Sequence, residues 1–88
     1  MHVSNWKPLV KNTLRGFFSL TLPSGMILHN CSLHEKNGHP WIGLPSRRYS
    51  DKNGATSYMP IVEFTDRKIK DNFDAQVLQA LERMRTTA

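Results

Sequence analysis

Lys7, Lys11, Arg15, Arg47, Arg48 and Lys52 are cations that lie outside the helix-like C-terminal stretch, and Trp6, Phe17, Trp41 and Tyr49 are interleaved with them. Cations neutralise phosphates and aromatic faces stack on bases; sheet-based modules hold single strands by that combination with little sequence preference. The densest instance is Trp41-Ile42-Gly43-Leu44-Pro45-Ser46-Arg47-Arg48-Tyr49, an apolar run closed by a proline and followed by two arginines and a tyrosine. Alternation sends Arg47 and Arg48 to opposite sides if the chain stays extended, so both need not face one ligand. Tyr49, in a polar loop, reads as the stacking residue, whereas Trp41 reads as part of a buried strand.

Other chemistries find less material. His29, Cys31, His34 and His39 lie close in sequence, but alternation sets His29 and Cys31 on one strand face and His34 on the other, and no Cys-x-x-Cys or His-x-x-x-His pair is present. Cys31 has His29 two positions away as its one candidate base, with no group to orient it. The carboxylates, Glu35, Asp51, Glu63, Asp66, Asp71, Asp74 and Glu82, fall mostly in turns or on a helix surface, and the glycines fall singly. The expectation is no metal, no cofactor and no catalysis.

The elements that position these residues are read from periodicity and turn chemistry. Met1 to Thr13 shows no regular period and reads as an N-terminal arm (1–13), with Trp6 docking on the domain or a partner. Leu14 to Leu22 alternates, with Leu14, Gly16, Phe18, Leu20 and Leu22 on one face. Pro23-Ser24-Gly25 then supplies a turn. A second strand, Met26 to His34, is expected to bury Ile27, Cys31 and Leu33. Asn37-Gly38 is a hairpin signal, because a type I′ turn needs positive φ at both central residues. A third strand, about Pro40 to Leu44, is apolar at consecutive positions, as for a central strand covered on both faces. Pro45 marks its end, and Asn53-Gly54 sits in a polar loop.

Tyr58 to Phe64 reads as a fourth strand with Pro60 at a bulge or edge. Thr65 or Asp66 caps a helix on which Ile69, Phe73, Val77, Ala80, Leu81 and Met84 recur at spacings of 3 and 4. Lys70 with Asp74, four apart, reads as a solvated surface pair. The expected fold is α+β, a four-stranded antiparallel meander followed by one C-terminal amphipathic helix, with residues 14–88 forming a single β-β-β-β-α domain.

Composition narrows the class. In 88 residues, 39% are hydrophobic and 22% charged, which excludes a disordered or membrane-embedded chain. No apolar run approaches the roughly 20 residues of a membrane span, and no signal-peptide core is evident, so the reading is cytoplasmic. One cysteine excludes an internal disulfide. The net charge of +5 and pI of 9.8 suit a polyanionic partner.

Gly25-Met26-Ile27-Leu28-His29-Asn30, the Asn37-Gly38 turn, Leu44-Pro45-Ser46-Arg47-Arg48, and Pro60 before a terminal helix together resemble the SpoVG septation-regulator family. There the corresponding stretch is an apolar strand, a hairpin and a Pro-Ser-basic-Arg segment. The resemblance spans about residues 14 to 82, and its most specific part is Leu-Pro-Ser-Arg-Arg. It implies a curved antiparallel sheet with a helix, dimerisation through strand edges, and DNA or RNA binding by a regulator, with Arg47 and Arg48 matching the family's basic segment. The chain departs from the family toward its end, where Gln76 to Ala88 has only Arg83 and Arg85 as cations. The order of four strands then a helix is also similar, in topology alone, to coactivator and Whirly-type single-strand-binding domains.

The sequence therefore reads as a small homodimeric nucleic-acid-binding regulator of bacterial or phage type, acting on single-stranded DNA, duplex DNA or RNA, with no membrane partner. Arg47, Arg48, Tyr49 and Lys52 form the contact surface, assisted by Arg15, Lys11 and Lys7. The alternative is a non-enzymatic interaction module that augments a partner's sheet through the Tyr58–Phe64 edge or the arm.

Overall fold

The structure, a computed structural model, describes residues 1–86, with side chains described through Met84. Strands β1 (His2–Lys11), β2 (Leu14–Thr21), β3 (Ile27–Lys36) and β4 (His39–Gly43) form one antiparallel sheet in the order β1-β2-β3-β4. Strands β5 (Ser46–Ser50) and β6 (Thr56–Pro60) form a separate two-stranded ribbon, and helix α1 (Arg67–Thr86) ends the described chain. The α+β class and the four-stranded meander with its C-terminal helix hold.

The strands composing that meander differ from expectation. The expected arm, 1–13, is mostly β1, which pairs with β2 along its length. The expected fourth strand, Tyr58 to Phe64, contributes only its first residues, to the ribbon's β6. Sheet order also makes β4 an edge strand rather than the central one.

Turn chemistry explains the connections. Asn37 (φ 54°) and Gly38 (φ 79°) are the two-residue turn between Lys36 and His39, the positive pair a type I′ hairpin requires. Pro23-Ser24-Gly25 closes β2 onto β3, with the Leu22 carbonyl accepting from Gly25 N–H at 2.9 Å. In the ribbon tip, Asp51 Oδ1 accepts from the N–H groups of Asn53 (2.8 Å) and Ala55 (2.9 Å). This side-chain turn satisfies backbone donors that a five-residue loop leaves unpaired.

Bulges change which side chains face inward. Asn5 (φ 56°) and Asn30 (φ 62°) occupy the left-handed region that asparagine tolerates better than other side-chain-bearing residues, at register shifts in β1 and β3. Each extra residue reverses the alternation beyond it. In β3, Leu28 therefore turns toward the core opposite Leu20, and Ile27 is exposed, the reverse of expectation. In β1, Val3 and Trp6 come to the same side despite their odd spacing. A shift at Arg15 sends Leu14 to the other face, opposite His34, rather than inward with Phe18, and β1 is shifted again between Pro8 and Lys11.

The core lies between the sheet and α1, where Phe18, Leu20, Cys31, Leu33, Ile42 and Val3 meet Phe73, Val77 and Leu81. Burial of each large apolar side chain contributes about 1.5–3 kcal/mol. Asp66 caps the helix, its Oδ1 accepting from Lys68 N–H at 2.8 Å, as the sequence suggests. Ile69, in the first turn, stays half-exposed and outside the core cluster, although the sequence period places it on the buried stripe. Trp6 lies over Gly16, whose Cα offers the space: a Cβ there would strike the indole and the Lys7 carbonyl.

The Lys70–Asp74 pair is not solvated surface. Lys70 Nζ donates to the Ile42 carbonyl at 2.9 Å and to Asp74 Oδ1 and Oδ2 at 2.6 and 2.7 Å, while Ile42 N–H donates to Asp74 Oδ2 at 3.4 Å. The ion pair thus satisfies one donor and one acceptor on the free edge of β4, the groups through which a further strand would add.

Candidate nucleic-acid interface

The helix covers one face of the sheet and leaves the other open. Register places the open-face residues. Lys7 lies opposite Phe17, Lys11 opposite Leu14, Phe17 opposite Ser32, Leu14 opposite His34, and His34 opposite Trp41. Directly opposed residues of an antiparallel pair share a face, so Lys7, Lys11, Phe17, Leu14, Ser32, His34 and Trp41 stand on one surface. Phe17 and Trp41 are each more than a third exposed. Trp41 is thus a surface ring and not a core residue; Ile42 is the buried member of β4.

Hydrogen bonds hold this face in place. The His34 ring stacks on Trp41 (centroids 5.5 Å, planes 9° apart). Its Nδ1 meets Thr13 Oγ1 at 3.1 Å and its Nε2 meets Ser32 Oγ at 2.9 Å. Burial lowers its pKa from the ordinary 6.5 by disfavouring the charged ring, and the two hydrogen bonds orient the ring beneath Trp41. Gly43 lies opposite Ser32, where a Cβ would collide with Ser32 Oγ. Ser19 accepts from Asn5 Nδ2 at 3.5 Å and contacts His29 Nδ1 at 3.0 Å.

Two depressions cross the face. One, about 380 Å³, is lined by Asn5, Lys7, Phe17, Phe18, Ser19, His29 and Asn30. The other, about 600 Å³, runs from Phe17, Asn30, Ser32 and His34 past Gly43 and Leu44 to Ser46 and Tyr58 at the foot of the ribbon. Phe17 and Asn30 belong to both and form the saddle between them.

The ribbon stands clear of the other elements. Proline explains its departure: Pro45 cannot continue a ladder as a donor, and the chain leaves the sheet there. The bond from Ile61 N–H to the Pro45 carbonyl, 3.1 Å, closes the ribbon's base. Arg48 lies opposite Tyr58 and Ser46 opposite Pro60, all on the groove side with Ser46 and Tyr58. Arg47 opposite Met59 and Tyr49 opposite Ser57 are on the other side. Arg47 and Arg48 therefore do diverge, and Tyr49 lies on a strand rather than in a loop, facing away from the groove. Lys52 is exposed at the tip.

Arg15 does not join the surface as a free cation. Its guanidinium donates to the carbonyls of Asn12 (2.8 Å), Leu14 (3.1 Å) and Glu35 (3.4 Å), tying the β1–β2 turn to β3. Sequence reasoning missed Tyr58 and Asn30. The second Asn-Gly, at 53–54, was the available sign of a hairpin that pairs Arg48 with Tyr58; an asparagine within an apolar strand was the sign of the bulge.

The remaining chemistry is sparse. Cys31 is buried, with its pKa pushed up to about 11 by desolvation, and its Sγ contacts the Leu28 carbonyl at 3.7 Å. His29 lies across the bulge on the opposite face, so the two do not share a side as alternation suggests. Among the described residues no group of three or more His, Cys, Asp or Glu side chains could hold a metal ion, and no helix is long and apolar enough to cross a membrane. Comparison with protein-family models, with curated proteins and with solved structures finds no match to this chain.

Proposed function

We propose that this chain is a nucleic-acid-binding regulator that holds its ligand by backbone charge and base stacking across the open sheet face and the ribbon. The observation that carries this reading is the placement of Phe17, Trp41 and Tyr58 on the same side of the molecule as Lys7, Lys11 and Arg48. Arg47, Tyr49 and Lys52 extend the charged, aromatic surface to the ribbon's far side and tip. The resemblance of Leu44–Arg48 to the basic segment of SpoVG regulators supports the same reading. A cytoplasmic setting accompanies it.

Binding to labelled single-stranded DNA, duplex DNA and RNA, titrated across salt, tests it. Affinity that falls steeply with salt is expected, because each neutralised phosphate releases counterions. Absence of binding to all three at low salt overturns the reading.

A homodimer belongs to the proposal. The outer edge of β1 supports it, since β4 is clamped by Lys70 and Asp74 while β1 leaves Leu9 and Val10 exposed. Sedimentation of the purified chain decides it. The same edge suits the alternative of sheet augmentation with a different protein, which a capture resistant to nuclease and high salt would favour.

A further inference from the structure

We infer that the groove between Phe17 and Tyr58 receives an unstacked base of a single-stranded nucleic acid, and that the Asn30 side-chain amide reads the edge of that base. This deepens the nucleic-acid reading above and rests on it.

The groove has the dimensions of a ligand site. Its volume, about 600 Å³, falls within the roughly 300–1,000 Å³ typical of small-molecule pockets. It is open along one side, as a polymer requires. An aromatic ring stands at each end, Phe17 on the sheet and Tyr58 on the ribbon, the latter two-thirds exposed. Such rings gain by stacking only when a base face is available, and in a duplex the base faces are already stacked on one another. That selects a single strand over duplex.

The polar groups in the groove divide into occupied and available. His34 uses both ring nitrogens on Thr13 and Ser32, and Ser32 Oγ is engaged in the same pair. Asn30 differs: among the described residues its amide has no hydrogen-bond partner, although it lies on the saddle that both depressions share. An amide presents a donor and an acceptor side by side, the complement of a nucleobase edge. The bulge at φ 62° holds Asn30 in that position. Lys7, in the adjoining depression, and Arg48, beside Tyr58, flank the saddle with positive charge for the phosphates on either side.

The full chain, titrated by anisotropy with short labelled oligonucleotides of each single base and with a matched duplex, tests the inference. Single strands should bind more tightly than duplex, with a preference among bases. Asn30→Gly keeps a residue that accepts positive φ and removes only the amide. It should bring the affinities for the different bases to within about 2-fold of one another, from a spread of about 5- to 100-fold in the parent. Tyr58→Ala, on an exposed ribbon position, should weaken single-strand binding about 5- to 100-fold while the preference persists. Duplex bound as tightly as single strands overturns the inference while leaving the nucleic-acid reading intact. So does the absence of any base preference in the parent, its full retention in Asn30→Gly, or an unchanged affinity in Tyr58→Ala. Absence of all binding overturns both.

Discussion

The two faces of β2 and β3 are built from neighbouring residues and have opposite chemistry. Inward stand Phe18, Leu20, Cys31 and Leu33, sealed by α1; outward stand Phe17, Ser32 and His34, with Asn30 on the saddle. Phe17 and Phe18 are adjacent in sequence and identical in type, yet Phe18 is 1% exposed and Phe17 37%. The difference lies in what the helix covers. One face is closed and contributes stability; the other is open, with Ser32 and His34 held by one another, the Asn30 amide unpartnered among the described residues and the aromatic rings more than a third exposed.

Substitutions at this pair sharpen the contrast most. Phe18→Ala should cost about 3–5 kcal/mol, as for other buried phenylalanines, and a chain this small should be largely unfolded in a urea titration. Phe17→Ala should leave the urea midpoint near that of the parent yet cost about 1–3 kcal/mol in single-strand affinity. Equal stability losses at the two positions would erase the distinction between the faces.

The edges give the next effect. Asp74→Ala removes the partner of Lys70 and of Ile42 N–H, so hydrogen bonding to a charged group worth about 1.5–3 kcal/mol is lost. The drop in urea midpoint should be accompanied by a rise in concentration-dependent association, because β4 then presents an unpaired edge. Unchanged sedimentation with full loss of stability would limit the pair to a stabilising role.

His34 ties the open face to pH. Its pKa is lowered in the folded state, so between the folded and unfolded values the unfolded chain binds more protons. Its contribution to stability is therefore full above about pH 6.5 and is lost as pH falls through the folded value. Urea midpoints should decline on acidification through that window, and less so in His34→Gln. The smallest stability effect belongs to Arg48→Ala, within about 0.5 kcal/mol for an exposed position. Its signature is instead a salt slope of binding reduced by about 1, as for one lost phosphate contact.

Much of the scaffold was legible because it follows from local rules. The period of Phe73, Val77 and Leu81 identifies the helix and its buried stripe, Asp66 its start, and Asn37-Gly38 the β3–β4 turn. Pro45 marks the end of β4. The candidate site was legible in part: Lys7 and Lys11 lie on the open sheet face and Arg48 on the groove side of the ribbon, while Arg15 is occupied by carbonyls and Arg47 and Tyr49 face away. Alternation fails at a bulge, and Asn5, Arg15 and Asn30 each shift it by one residue. For that reason Ile27 and Leu14 changed sides, and His29 separated from Cys31.

The chain alone determined its local elements: a capped amphipathic helix, a type I′ hairpin, the alternating strand around Phe18, and an excess of positive charge. These depend on backbone geometry and side-chain period within a few residues. Only the tertiary structure decided that the first residues form an edge strand, that Trp41 is on the surface, and that Arg48 meets Tyr58. Those outcomes depend on which sheet face the helix covers and on register shifts between strands, where a single extra residue turns every side chain beyond it to the opposite face.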